Sequence, residues 1–231
     1  GAFGEAGNGL GGESNDDFFG AGAAYIFVRD NNGRWKQQAY LKASNADAFD
    51  SFGYSVSVSG DTAIVGAWYE GSNGTDGEAN NDADYAGAAY IFTRDNQGTW
   101  TQQAYLKASN TDAYDSFGYS VSIAGDTAIV GAPSESSDGS SEANNDAWSA
   151  GAAYIFTRDG NGNWSQRAYL KASNTDRTDG FGTSVSLSGD TAIVGADKED
   201  GDGISEDANG WDRTGAAYIF TRGDNGDWSQ Q

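Results

Sequence analysis

The stretch Tyr54-Ser55-Val56-Ser57-Val58-Ser59-Gly60-Asp61-Thr62-Ala63-Ile64-Val65-Gly66-Ala67 decides the fold class. Its first half alternates Ser with Val. A period of two puts Val56 and Val58 on one face of a strand and Ser55, Ser57 and Ser59 on the other, and predicts that one face is buried. Gly60-Asp61 is a tight turn. Thr62 to Val65 is a second, short apolar strand that ends in Gly66-Ala67. Two strands joined by a two-residue turn form an antiparallel hairpin.

The chain spells this hairpin three times. Gly-Asp-Thr-Ala-Ile-Val-Gly-Ala runs from Gly60, Gly125 and Gly189, and Phe-Gly pairs precede it at Phe52, Phe117 and Phe181. Gly-Ala-Ala-Tyr-Ile-Phe starts at Gly22, Gly87, Gly151 and Gly215, with a Trp thirteen residues on at Trp35, Trp100, Trp164 and Trp228. Ala-Tyr-Leu-Lys-Ala-Ser-Asn starts at Ala39, Ala104 and Ala168. The period is 64 to 65 residues, and Gly1-Ala2 reads as the end of a further copy of the hairpin. A fixed period of this kind marks a repeat architecture. The approximate units are 1–51 (partial), 52–116, 117–180 and 181–231 (incomplete), in one repeat domain over 1–231.

Each unit adds a second hairpin: Ala88 to Thr93, a turn at Asp95-Asn96-Gln97-Gly98, and Trp100 to Leu106. No segment has the 3.6-residue spacing of an amphipathic helix, and parallel crossovers need a helix of about ten residues or more. The expectation is an all-β fold of tandem four-stranded antiparallel blades. A lone sheet leaves both faces wet, and stacking sheet on sheet buries them. Tyr25, Tyr90, Tyr154 and Tyr218, with Phe27, Phe92, Phe156 and Phe220, are the expected core between blades. The four repeated Trp residues are expected to cover blade edges. Gly66, Gly131 and Gly195 are expected where backbones crowd.

With Phe117-Gly118 and Gly131-Ala132-Pro133, the chain resembles the FG-GAP repeats of bacterial surface proteins and of the integrin α-subunit β-propeller. The other units keep Phe52-Gly53 and Phe181-Gly182 but replace the Pro, as Gly66-Ala67-Trp68 and Gly195-Ala196-Asp197. The resemblance implies an extracellular, non-catalytic binding or adhesion module built on a closed ring of about seven blades, within the usual range of roughly four to eight. Three and a half units are too few for that ring. A partial propeller, a propeller completed by a second copy, and an open array or filament stacked end to end all remain open. Integrin members hold calcium between the first two strands. Here Ser59-Gly60-Asp61 is too short to hold an ion, so that site does not carry over.

Composition narrows the chemistry. The 231 residues include 34 acidic and 13 basic side chains, for a net charge of -21, and neither Cys, His nor Met. Disulfides, Cys/His zinc sites and Ser-His triads are excluded. Nucleic acid is not an expected partner, because phosphates need basic patches. No apolar run is long enough to insert in a membrane as a helix, and no signal peptide is expected. The chain opens without Met and stops inside the repeat pattern, so the natural protein is expected to continue at one or both ends.

The long loops between second and third strands carry the variable residues. Their oxygen-only donors would suit calcium, and the candidate ligands are Asp16, Asp17, Asn80, Asp82, Asp84, Asn144, Asp146, Asp207, Asn209 and Asp212. The plainer reading is solvated acidic loops. Trp68, Trp148 and Trp211 occur singly in these loops. Each is a candidate to stack on a glycan or anchor a protein partner, or else to tuck against the sheet rim. Glu70, Glu135 and Glu199 read as solvated loop residues. The repeated pairs Asp47/Asp50, Asp112/Asp115 and Asp176/Asp179 read as acceptors for backbone N–H groups that hold the connection between blades. Asp61, Asp126 and Asp190 read as turn residues. Repeated carboxylates sit in equivalent surroundings, which argues for scaffold and against a hydrolase.

Overall fold

The computed structural model describes residues 1–7, 18–75, 78, 80–200 and 213–231. Its elements are fourteen β-strands, with no α-helix among the described residues. β1 (Ala24–Arg29) and β2 (Trp35–Leu41) form a two-stranded sheet. β3 (Ser55–Ser59), β4 (Thr62–Ala67), β5 (Ala88–Arg94) and β6 (Trp100–Leu106) form the second sheet in sequence order. The third holds β7 (Ser120–Ala124), β8 (Thr127–Ala132), β9 (Ala152–Arg158) and β10 (Trp164–Leu170). The fourth holds β11 (Phe181–Ser188), β12 (Thr191–Ala196), β13 (Ala216–Arg222) and β14 (Trp228–Gln230). Every ladder within the sheets is antiparallel, and Ala2 bridges Ala23 where the missing inner strand of the first sheet would end.

The sheets stack face to face as the blades of an unclosed propeller. One face of each blade meets the opposite face of the next. Ile129 and Ile155 of the third blade pack on Leu187, Val194, Tyr218 and Phe220 of the fourth. Ile64 and Ile91 meet Val121, Ile123, Val130 and Tyr154 in the same way. Single parallel bridges, Gly22–Phe52, Gly87–Phe117 and Gly151–Phe181, join one blade to the next edge to edge.

The two sequence signatures meet at these junctions. Gly118 of one Phe-Gly pair lies over Gly66 of the preceding blade. A Cβ on Gly66 would fall 2.0 Å from the Gly118 carbonyl oxygen, and one on Gly118 (φ +87) would fall 2.2 Å from the Ala88 carbonyl oxygen. The serine side of β3 closes the same seam. Ser55 Oγ donates to the Gly118 carbonyl at 2.8 Å, and Ser57 Oγ accepts the Ile123 N–H at 3.2 Å.

Burial follows the neighbour and not the strand's own pattern. Val121 is 8% exposed, but Val56, at the equivalent place, is 49% exposed, because among the described residues the first sheet holds only β1 and β2. The expected buried valine face is therefore open in β3. At the other end Ile219 is 47% exposed, whereas its counterpart Ile155 is fully buried. The Trp residues follow the same rule. Trp100 Nε1 donates to Gln38 and Trp164 Nε1 to Gln103, each on the preceding blade, and Trp35, which meets no such partner blade among the described residues, is exposed.

Candidate functional site

Each junction buries a charged cluster. Glu70 and Glu135 are 1% exposed, which corrects their reading as solvated loop residues. Lys107 Nζ lies 3.1 Å from Glu70 Oε2, and Lys171 Nζ lies 3.1 Å from Glu135 Oε2. Lys42 and Glu5 repeat the pair at 3.2 Å. Tyr105 OH and Asn45 Nδ2 also donate to Glu70, and Asn45 Oδ1 accepts from Tyr90 OH. Desolvation lowers the Lys107 and Lys171 pKa values, against the pull of Glu70 and Glu135. Burial holds the Tyr90 and Tyr154 hydroxyls well above the usual phenol value. Buried charges are tolerated when they are paired and their remaining hydrogen bonds are made, as here. The cluster ties each long loop to its blade.

The repeated Asp pairs do what their pattern predicts. Asp50 Oδ2 accepts the Asp47 N–H at 2.8 Å, Asp115 that of Asp112 at 2.9 Å, and Asp179 that of Asp176 at 2.8 Å. Burial raises Asp50 and Asp115 to about 7 and Asp179 to about 6. Asp61, Asp126 and Asp190 sit in their turns, and each pairs with an Arg (Arg94, Arg158 or Arg222).

On this scaffold the loops of the second and third blades enclose a groove of about 720 Å³. Five aromatic side chains line it: Trp68, Tyr69, Tyr85, Tyr114 and Trp148. Trp68 stacks on Tyr69 with ring centroids 3.5 Å apart; Tyr69 and Tyr85 are 4.6 Å apart, and Tyr85 and Tyr114 are 5.6 Å apart. Asp112, Asp115, Ser134, Ser136 and Asn145 supply polar groups between the rings. Asn145 Nδ2 donates to Asp112 Oδ2 at 3.1 Å.

The backbone holds these rings in place. Tyr85 (φ 57) and Tyr114 (φ 73) are left-handed, a conformation that costs roughly 1–2 kcal/mol per non-glycine residue. A ladder of main-chain bonds fixes it: Tyr114 N–H to Asp84 O at 2.8 Å, Ser116 N–H to Tyr85 O at 3.1 Å, and Phe117 N–H to Ala86 O at 2.9 Å. The buried indole N–H of Trp68 has no hydrogen-bond partner among the described residues.

Trp68 and Trp148 thus line one groove. Sequence reasoning missed Tyr69, Tyr85 and Tyr114. The available signal was their failure to repeat: Ser134 and Ser149 replace Tyr69 and Tyr85 one blade on. Of the candidate metal ligands, Asn80, Asp82 and Asp84 share one loop and Asn144 and Asp146 the next. Asn80 Oδ1 accepts the Asn73 N–H at 2.9 Å, and Asn144 Oδ1 accepts the Asp138 N–H at 3.0 Å. Among the described residues no three acidic side chains converge as a cation site. Asp16, Asp17, Asp207, Asn209, Trp211 and Asp212 lie outside the described residues.

The FG-GAP repeat model matches residues 35–92, 100–156 and 164–220, most of the chain. The chain belongs to the FG-GAP repeat family. Among solved structures, a crystal structure of a protein from Lactobacillus plantarum is similar, with a TM-score of 0.52 and 14% identity. The likeness covers 90% of this chain and 48% of that one, so the FG-GAP chain spans about half the length of its structural neighbour. It concerns the fold alone. No curated protein matches the chain.

Proposed function

We propose that this FG-GAP chain is a non-catalytic extracellular binding or adhesion module that presents its inter-strand loops to a protein or glycan partner. The observation that carries this reading is the placement of its exposed aromatics. Among the described residues six of the eight exposed aromatics, Phe3, Phe19, Phe49, Tyr85, Tyr114 and Trp148, lie in loops or connections between blades, and Phe27 and Trp35 lie on β1 and β2. Exposed aromatics on a rigid scaffold are typical anchors for a partner. The recurring carboxylates support the non-catalytic half, because each is taken up by a repeated scaffold contact. Family membership supports a surface location.

A glycan array and a panel of surface proteins, each screened with and without EDTA, test this. Specific binding is the expected result, and an EDTA-sensitive signal would bring in a divalent cation such as calcium. Failure to bind anything on either panel would overturn the reading. A second reading, a structural repeat that stacks end to end, is favoured by the near-identical junctions that join one blade to the next. Electron microscopy across a concentration series tests it, and discrete particles throughout would remove it.

A further inference from the structure

We infer that the groove between the second and third blade loops is a subsite for a neutral, hydroxyl-rich glycan chain. This rests on the binding-module reading and gives it a place and a ligand class. The groove's volume of about 720 Å³ falls within the roughly 300–1,000 Å³ of small-ligand sites. A folded protein partner would bury about 800 Å² of each surface, far more than such a groove offers.

The lining suits sugar rings better than an apolar peptide. The rings of Trp68, Tyr69, Tyr85 and Tyr114 are linked ring to ring, with adjacent centroids 3.5–5.6 Å apart. The phenol hydroxyls of Tyr69, Tyr85 and Tyr114 have no partner within the chain among the described residues. Each is left to donate to or accept from a ligand hydroxyl. An apolar ligand would strand these hydroxyls, and a stranded polar group costs roughly 1–3 kcal/mol. Ser134, Ser136 and Asp112 add donors and acceptors along the same wall.

Charge selects among glycans. The chain carries -21 overall, and the groove is lined by the carboxyl of Asp112 and by no Lys or Arg. An anionic polysaccharide would be repelled. A neutral chain with its faces on the rings and its hydroxyls on the polar groups meets every feature of the lining.

The test uses the whole chain and its Tyr114→Ala and Trp148→Ala variants. Both side chains are largely exposed, at 60% and 67%, so the fold should survive, and circular dichroism checks this. Trp35→Ala, at the far end of the array, is the control. The probes are soluble neutral glucans, mannans and galactans, with polygalacturonate and a basic peptide for comparison, read by calorimetry. The expected result is binding of at least one neutral glycan, weakened about tenfold or more by each groove variant (about 1.4 kcal/mol) and unchanged in the control.

Neutral-glycan binding that survives both groove variants would overturn the site but leave the module reading intact. Binding of polygalacturonate or the basic peptide in place of neutral glycans would overturn the ligand class alone. If no neutral glycan binds, the subsite is wrong. The module reading then stands only if a surface protein binds.

Discussion

Ile155 and Ile219 occupy the same position in the same string, Gly-Ala-Ala-Tyr-Ile-Phe, one blade apart. Ile155 is fully buried against the fourth blade, and Ile219 is 47% exposed because no blade packs on it among the described residues. Replacing Ile by Ala removes three carbons, worth about 0.8 kcal/mol each when buried, or about 2.4 kcal/mol. At Ile155 the cavity left between two packed sheets adds to this, for a total of about 3–4 kcal/mol. At Ile219 about half the transfer contribution is lost and no enclosed cavity forms, so the cost is about 1 kcal/mol. Urea unfolding followed by tryptophan fluorescence measures both, with the slope expected to stay unchanged. A difference of about 2–3 kcal/mol is expected. Equal costs, within about 0.5 kcal/mol, would refute the reasoning, because the outer face of the last blade would then be covered in solution.

Gly118→Ala should cost more than about 2 kcal/mol, because it combines a left-handed backbone with a Cβ 2.2 Å from the Ala88 carbonyl oxygen. Gly226→Ala, at φ +88 with open space around it, should cost only the backbone strain of about 1–2 kcal/mol; thermal melts compare the two. Glu135→Ala strands Lys171, 8% exposed, and should cost about 3–5 kcal/mol, whereas Asp126→Ala at the surface pair with Arg158 should cost under about 1 kcal/mol in the same assay. Asp50 and Asp115 titrate near 7 in the fold, above the ordinary 3.8, so the folded state holds their protons more tightly than the unfolded one. Their contribution is full below about pH 4 and is lost as pH rises through 7. Melting temperatures between pH 5 and pH 8 should therefore fall less in Asp115→Asn than in the parent, and an identical slope would contradict the assignment.

The strands were legible because their signals are local. Serine–valine alternation, the Gly60-Asp61 turn and the Asp95 to Gly98 turn each lie within a few residues, and β6 runs over the expected Trp100–Leu106. The repeated Asp pairs were legible for the same reason, since Asp50 bonds a backbone group only three residues away. Burial was less so. The exposure of Val56 depends on what packs against it from the first sheet, which among the described residues holds only β1 and β2, and β3 itself does not encode that. The Glu–Lys pairs were hidden because Glu70 and Lys107 are 37 residues apart and Glu70 stands in a polar loop. Their common period, Glu5, Glu70, Glu135 and Glu199 against Lys42, Lys107 and Lys171, was the usable clue. The groove needed five separate segments to converge, so its two Trp residues were visible and the tyrosines joining them were not.

The sameness of the junctions makes length an adjustable quantity. Ser51-Phe52-Gly53-Tyr54 and Ser116-Phe117-Gly118-Tyr119 are spelled alike and occupy equivalent places. Joining Ser51 directly to Phe117 would excise one whole period and bring Ile26 and Leu41 against Val130 and Tyr154 in place of Val65 and Tyr90. The residues facing each other across the splice would be of the same kinds as before. Recombination between such copies can shorten or extend the molecule in whole blades while the loops drift independently, so that the stacked scaffold and the loop sequences are inherited on separate tracks.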